Sequence, residues 1–146
     1  MATSETGLVT EFADQFKVTW PNGYWRKLHG GLYQAGLPDV ICAIPAGDTA
    51  TGDIRPSLAA MLEFKWLNTN SDGDIDKLKV RGMRKLTEIQ RYELDRLYLL
   101  CISPILIIGA PEYVVVLDWP GGTNCLRFQH KARGEHWNLN HLLWNI

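Results

Sequence analysis

Residues 58–66 read Leu-Ala-Ala-Met-Leu-Glu-Phe-Lys-Trp, and this apolar run with two charges near its end decides the fold. Its length and composition predict a buried β-strand. Glu63 and Lys65 stand two residues apart, and the period of two in a strand places both side chains on one face, roughly 7 Å apart. Because buried charges are costly to desolvate, we interpret this carboxylate and this ammonium group as functional.

A second carboxylate precedes the neighbouring strand. Residues 37–44, Leu-Pro-Asp-Val-Ile-Cys-Ala-Ile, predict a strand that starts at its proline. Its simplest partner is the strand 58–66, in a hairpin, which would bring Asp39 close to Glu63. Two carboxylates at one point suit a hard cation such as Mg²⁺, which takes oxygen ligands. Lys65 would then lie where it can orient an attacking water or stabilise charge in the transition state.

The rest of the sequence predicts further helices and strands around this pair. Apolar residues at helical spacing indicate a first helix, and Trp20 to Gly23 a turn. Residues 45–57 are predicted to form a loop, and residues 67–85 to be polar and irregular. That first helix is predicted at 8–18. The other predicted elements are a capped helix at 87–100, buried strands at 105–109 and 113–117, an edge strand at 125–129 and a helix at 139–144. This order, α-β-β-α-β-β, predicts an α/β fold with a central mixed sheet flanked by helices.

Length and composition fit one domain spanning residues 1–146, with its core at about 8–118 and residues 119–146 unassigned. The chain is 46% hydrophobic and 21% charged, as in ordinary globular proteins. A net charge of −1 argues against binding by bulk positive charge, although local basic patches can still bind nucleic acid. Three cysteines without C-x-x-C spacing predict reduced thiols. No signal peptide or membrane-length apolar run is visible, so we expect a cytoplasmic protein.

Three short segments of the sequence resemble motifs of the PD-(D/E)XK nuclease superfamily, and most closely those of its VRR-NUC and Holliday-junction-resolvase branch. In that branch Gly-x-Pro-Asp, Glu-x-Lys and a Leu-Thr-x-x-Gln helix follow in this order. The matching segments here are Gly36 to Asp39, Glu63-Phe64-Lys65 and Leu86-Thr87-Glu88-Ile89-Gln90. The resemblance spans about Glu11 to Leu97 and implies a restriction-endonuclease-like α-β-β-α-β core.

The resemblance also implies a metal site and the residues around it. Asp39, Glu63 and the backbone carbonyl of Phe64 would hold Mg²⁺, which Mn²⁺ can replace, and Lys65 would be catalytic. Glu11 would be a further acidic residue for catalysis and metal, and Gln90 a polar residue that faces the site. Each of these two has an alternative: Thr87-x-x-Gln90 fits a capping box, and Glu11 could complement the positive end of its own helix.

Two basic segments are candidates for contact with a phosphate backbone. Residues 77–85 carry five positive charges in nine residues, and a second basic segment leads into the Asp39 strand. The alternatives are a solvated loop and an ordinary surface turn. The nucleic-acid-binding candidates are Arg26, Lys27, His29, Gln34, Lys77, Lys79, Arg81, Arg84 and Lys85.

Other metal motifs fit poorly. The alternating Asp72, Asp74 and Asp76 lack the glycine and the bidentate glutamate of a calcium loop. His130, His136 and His141 do not share a helical face and have no cysteine at ligand spacing. The aromatic residues Trp119, Trp137 and Trp144 are better explained as core or interface residues than as base-stacking platforms.

Together these observations predict a metal-dependent endodeoxyribonuclease. We expect it to be structure-selective, like a Holliday junction resolvase, and to act as a homodimer on branched DNA in a prokaryotic cell or a phage-infected host, without a membrane. One alternative is a restriction-like or repair nickase on the same fold. Others are a non-catalytic nucleic-acid-binding module and an interaction protein that uses the C-terminal segment.

Overall fold

A long strand runs through the middle of the sheet and carries the charged pair. A computed structural model describes residues 3–28, 36–48, 54–55, 57–100, 103–120 and 125–129. Its strands are β1 (Tyr24–Lys27), β2 (Val40–Ile44), β3 (Gly47–Asp48), β4 (Ile54–Arg55), β5 (Leu58–Trp66), β6 (Ser103–Gly109), β7 (Tyr113–Asp118) and β8 (Cys125–Gln129). Its helices are α1 (Glu5–Thr19), α2 (Ile75–Arg84) and α3 (Glu88–Leu99), with a 3-10 turn at Ser71–Gly73 before α2.

Six of the strands form one mixed sheet in the order β1-β2-β5-β6-β7-β8, and β3 and β4 form a separate small hairpin. Neighbouring strands are antiparallel except β5 and β6, which are parallel. The hairpin pairing of β2 with β5 is therefore confirmed, as is a mixed sheet flanked by helices. The parallel pair leaves the carboxyl ends of β5 and β6 at one rim of the sheet.

Helix α1 covers one face of the sheet. Its stripe Leu8, Phe12 and Phe16 is buried in one core cluster with Leu62 and Phe64 of β5. The rings of Phe12 and Phe64 meet edge to face, with centroids 5.4 Å apart, a favoured aromatic geometry. This packing fixes the even-numbered residues of β5 toward α1, so the odd-numbered residues Glu63 and Lys65 face the other layer.

Helices α2 and α3 cover that second face. Their buried residues Leu78 and Leu94 join a second core cluster with Leu106 and Ile108 of β6. Trp119 is buried in the same cluster, and its indole N–H donates to Asp95 Oδ1 at 2.7 Å. Trp119 is thus a core residue, whereas Trp137 and Trp144 lie outside the described residues.

The prediction of irregular structure over residues 67–85 is wrong, because most of the basic segment forms α2. The carboxylate of Asp74 caps this helix by accepting from the backbone N–H of Asp76 and Lys77. Gly82 lies so close to β6 that an added Cβ would stand 2.2 Å from Ile108 Cδ1. The helix is therefore stabilised by its cap and by tertiary packing rather than by a long apolar stripe.

Other boundaries also differ from the predictions. The strand β1 was not predicted, and the predicted loop 45–57 contains the β3–β4 hairpin. The strand after Pro38 begins at Val40 rather than at the proline. The bounds of β5 and of the edge strand β8 agree with prediction. The predicted helix at 139–144 lies outside the described residues.

Candidate active site

Asp39 and Glu63 meet because of the register between β2 and β5. Val40 pairs with Leu62, so Asp39, one residue before Val40, falls opposite Glu63. The carboxylate of Asp39 accepts a hydrogen bond of 2.7 Å from the backbone N–H of Phe64, 25 residues away in sequence. This bond fixes the first carboxylate against the strand that carries the second.

The turn before Asp39 depends on a glycine. Gly36 has φ +84°, a left-handed conformation that side chains disfavour. An added Cβ would stand 2.4 Å from Ile89 Cγ2 and 3.0 Å from the Ile89 carbonyl oxygen. Gly36 therefore packs the turn directly against the first turn of α3, one residue from Gln90.

Glu63 is buried, with 1% of its surface exposed. Its Oε1 accepts a hydrogen bond from Gln90 Nε2 at 3.1 Å and lies 3.4 Å from Lys65 Nζ. The predicted shared face of Glu63 and Lys65 is thereby confirmed. When Glu63 is ionised, its Oε2 has no hydrogen-bond donor among the described residues.

Gln90 satisfies both of the interpretations proposed for it. Its Oε1 accepts from Thr87 N–H at 3.0 Å, and its own N–H donates to Thr87 Oγ1 at 3.1 Å, which completes the capping box. The same side chain donates to Glu63 through its amide nitrogen. The two roles use different atoms of one amide group, so the start of α3 is tied to the buried carboxylate.

The carboxyl groups of this site hold protons more tightly than usual. Burial, reinforced by the charge of Asp39 and opposed by Lys65, raises the pKa of Glu63 from 4.5 to about 8. Burial also raises the pKa of Asp39, against the lowering effect of the Phe64 N–H and of Lys65. A protonated Glu63 is placed to donate a hydrogen bond to Asp39, which helps to keep Asp39 ionised. Metal-free Glu63 is therefore largely protonated at neutral pH, chiefly because burial disfavours its charged form.

A third carboxylate, Glu5, belongs to the same electrostatic group. Burial and the charge of Asp39 raise the pKa of Glu5, while Lys65 lowers it, and the charge of Glu5 in turn raises the pKa of Glu63. From the sequence, Glu11 rather than Glu5 is predicted as the acidic residue of the first helix. The signal was its spacing, since Glu5 stands three residues before Leu8 and so extends the buried stripe.

Glu11 lies farther along α1, partly buried, and six residues beyond Glu5. Six residues correspond to about 9 Å along the helix axis. Its role in catalysis or metal binding stays a prediction.

The basic candidates fall into different surroundings. Lys27 lies on β1 opposite Val40, and its charge lowers the pKa of both Asp39 and Glu5. Lys85 follows α2, and its charge lowers the pKa of Glu5. Lys79, by contrast, lowers the pKa of the Cys125 thiol, on the edge strand.

The remaining basic candidates Arg26, Lys77, Arg81 and Arg84 are exposed. Two further candidates, His29 and Gln34, lie outside the described residues, as do His130, His136 and His141.

The residues present fit a hard divalent cation. The described part of the chain holds no group of three or more His, Cys, Asp or Glu that could bind a metal. Mg²⁺, however, needs only one or two carboxylates and fills its other positions with water and substrate phosphate. Asp39 and Glu63 supply two carboxylates, one with an oxygen that lacks a donor, and Phe64 supplies a neighbouring backbone carbonyl. This all-oxygen donor set suits Mg²⁺ or Mn²⁺ better than a thiophilic metal.

Comparison with known proteins found no family model, no curated protein and no solved structure that matches this chain. The described residues also contain no helix with the length and apolar character of a membrane span.

Proposed function

We propose that this protein is a divalent-metal-dependent endodeoxyribonuclease that hydrolyses DNA phosphodiesters at Asp39, Glu63 and Lys65. The observation that carries the proposal is the buried Glu63. It is held by Gln90, lies 3.4 Å from Lys65 Nζ, faces Asp39, and keeps one oxygen without a donor among the described residues. A carboxylate buried at this desolvation cost, beside a second carboxylate and an ammonium group, is typical of a functional site.

Each residue has a role that follows from its surroundings. Asp39 and Glu63, with the carbonyl of Phe64, would hold Mg²⁺, which when bound polarises the scissile phosphate and lowers the pKa of a water ligand. Lys65 projects from the same face of β5 and places a positive charge where the attacking water or the developing phosphate charge is located. Gln90 orients Glu63, and the charge of Glu5 raises the pKa of Glu63.

The finer proposal is a PD-(D/E)XK nuclease with a restriction-endonuclease-like core, similar to Holliday junction resolvases. It is supported by the order α1, β2, β5, α3, β6, and by the position of Asp39 and Glu63 on adjacent antiparallel strands. One domain with one site hydrolyses one strand at a time. We therefore propose a homodimer that cuts opposed strands of branched DNA, in the cytoplasm of a prokaryotic cell or a phage-infected host.

The test is cleavage of four-way junction, nicked, linear and single-stranded DNA of matched sequence by the purified protein. We expect cleavage with Mg²⁺ or Mn²⁺, none with EDTA, and binding with little turnover in Ca²⁺, which tolerates looser geometry. Lys65→Met should lower the rate about 10²-fold or more while leaving the melting temperature nearly unchanged. Asp14→Asn, an exposed acidic residue of α1, is the matched control.

The DNA that the protein cuts best distinguishes a resolvase-like from a restriction-like nuclease. Preferred cleavage of the junction supports the resolvase-like activity, and cleavage of a linear duplex at one short sequence supports a restriction-like nuclease. DNA binding without cleavage in any divalent metal would overturn the hydrolase and leave a nucleic-acid-binding module.

A further inference from the structure

The basic residues of α2 lie on two different flanks of the helix. Leu78 and Gly82 face the sheet and are buried. At 100° per residue, Lys77, Arg81 and Arg84 share the flank on one side of this buried line, and Lys79 lies on the other side. The first three are exposed and Lys79 is half-buried. We call Lys77, Arg81, Arg84 and the following Lys85 the α2 row.

The position of Lys79 shows which way each flank faces. Gly73, just before α2, packs against Tyr113 of β7, and Gly82 packs against Ile108 of β6, so α2 crosses the sheet near the carboxyl end of β6. In agreement with this course, the charges of Lys79 and Asp118 both act on the Cys125 thiol. In the sheet register Cys125 pairs with Leu117, and Asp118 pairs with Ile105 near the amino end of β6. The flank of Lys79 therefore faces the amino end of β6, and the opposite flank faces the rim where β5 and β6 end.

The end of the α2 row lies near the acidic site. Lys85 stands two residues before Thr87, whose N–H donates to Gln90 Oε1, and Gln90 Nε2 in turn donates to Glu63 Oε1. At the other end of the row, the exposed carboxylates Asp72 and Asp74 precede α2. The α2 row therefore ends at Asp72 and Asp74 on one side and leads toward the carboxylates of the candidate site on the other.

A second positive charge approaches the site from β1. Lys27 pairs with Val40, the residue after Asp39, and the N–H of the following Leu28 donates to the Asp39 carbonyl oxygen at 2.7 Å. In the sheet order β1 is two strands from β5, which corresponds to about 10 Å. The carboxylates Asp39 and Glu63 thus have Lys27 on one side and the α2 row on the other.

We propose that a nucleic-acid strand crosses the rim of the sheet at the end of β5, between Lys27 and the α2 row, and is bound through its phosphates. This path rests on the proposed function for the identity of the ligand. Lys77 and Arg84 are seven residues apart, about 10 Å along a helix, which is close to three nucleotide steps of about 3.4 Å along one strand. Lys79 faces away and makes no contact with the strand.

The experiment measures DNA affinity against salt concentration in EDTA, so that binding is read without cleavage. Replacing Lys77, Arg81 and Arg84 by Gln should reduce the slope of log K against log salt by about 2.7 for duplex DNA, or about 2.1 for a single strand. Lys27→Gln should reduce the duplex slope by about 0.9. Lys79→Gln and Lys17→Gln, the latter in the last turn of α1, should leave the slope unchanged. Melting temperatures check that every variant is folded.

An unchanged slope in the triple variant would overturn the proposed path. So would a reduction of the slope in Lys79→Gln as large as the reduction per residue in the triple variant. Cleavage by the wild-type protein in Mg²⁺ is scored separately on the same DNA. Cleavage with an unchanged slope in the triple variant overturns the path and leaves the proposed function standing. A reduced slope in the triple variant, without any cleavage by the wild-type protein, supports the path and overturns the proposed hydrolase activity.

Discussion

Gln90 Nε2 donates a hydrogen bond of 3.1 Å to Oε1 of Glu63, which lies 27 residues earlier in the chain. The opposite end of the same amide caps α3 by accepting from Thr87 N–H. A local helix cap and a buried carboxylate are therefore connected by a single side chain. Because Gln90 holds Glu63 in one orientation, we regard Gln90 as a positioning residue.

The two roles of Gln90 can be separated by substitution. Gln90→Glu keeps a capping box, since glutamate also serves at this position, but it replaces the donor to Glu63 with a negative charge. We expect near-native helix stability, a further increase in the pKa of Glu63, and a large loss of cleavage at neutral pH. Thr87→Ala should instead cost about 1 kcal/mol of stability and retain most of the activity. Equal losses of activity in the two variants would contradict the positioning role.

The raised pKa of Glu63 predicts how stability changes with pH in the metal-free protein. Between its unfolded value of 4.5 and its folded value of about 8, Glu63 binds a proton in the folded state that the unfolded chain has released. The free energy of unfolding should therefore fall as pH rises through this window. Urea unfolding in EDTA at about pH 6 and about pH 9 measures this change, and Glu63→Gln should reduce it. A wild-type protein that gains stability over this range, with Glu63→Gln unchanged, would contradict the shift.

The close contact of Gly36 with α3 predicts a large effect of a single methyl group. Gly36→Ala combines a left-handed backbone with a Cβ only 2.4 Å from Ile89 Cγ2. We expect a loss of at least about 1 kcal/mol from the backbone alone, and more from the contact. Adding Ile89→Ala should recover part of the loss, because it removes the side chain but not the carbonyl. Strictly additive free energies in this double-mutant cycle would argue against the contact.

Glu5 and Glu11 offer competing choices for the acidic residue of α1. Because the charge of Glu5 raises the pKa of Glu63, Glu5→Gln should shift the pH–rate profile toward lower pH. Glu11→Gln tests the sequence-based choice in the same assay. A shift in the Glu11 variant and none in the Glu5 variant would favour the sequence-based choice over the structure.

Much of the site could be predicted because its signals are local. The period of two in β5 places Glu63 and Lys65 on one face, and the predicted pairing of β2 with β5 brings Asp39 opposite Glu63. The structure adds what depends on contacts distant in sequence. Helix α2 packs through Gly82 against Ile108, a contact that composition does not show. Glu5 was missed because the predicted helix begins at residue 8, whereas α1 begins three residues earlier, at Glu5. The Ser4 hydroxyl caps it there by accepting from Gly7 N–H at 3.1 Å.

Asp39 and Glu63 are proposed to hold a metal ion for phosphodiester hydrolysis. The most direct test compares wild-type protein with Glu63→Gln in a cleavage assay on a DNA junction with Mg²⁺. Glutamine preserves the size of the side chain and its ability to bond with Gln90, but removes the negative charge that the cation requires. We predict that the wild-type protein cuts the DNA and that Glu63→Gln, still folded, falls to the level of the EDTA control. Cleavage by Glu63→Gln at the wild-type rate would contradict the account.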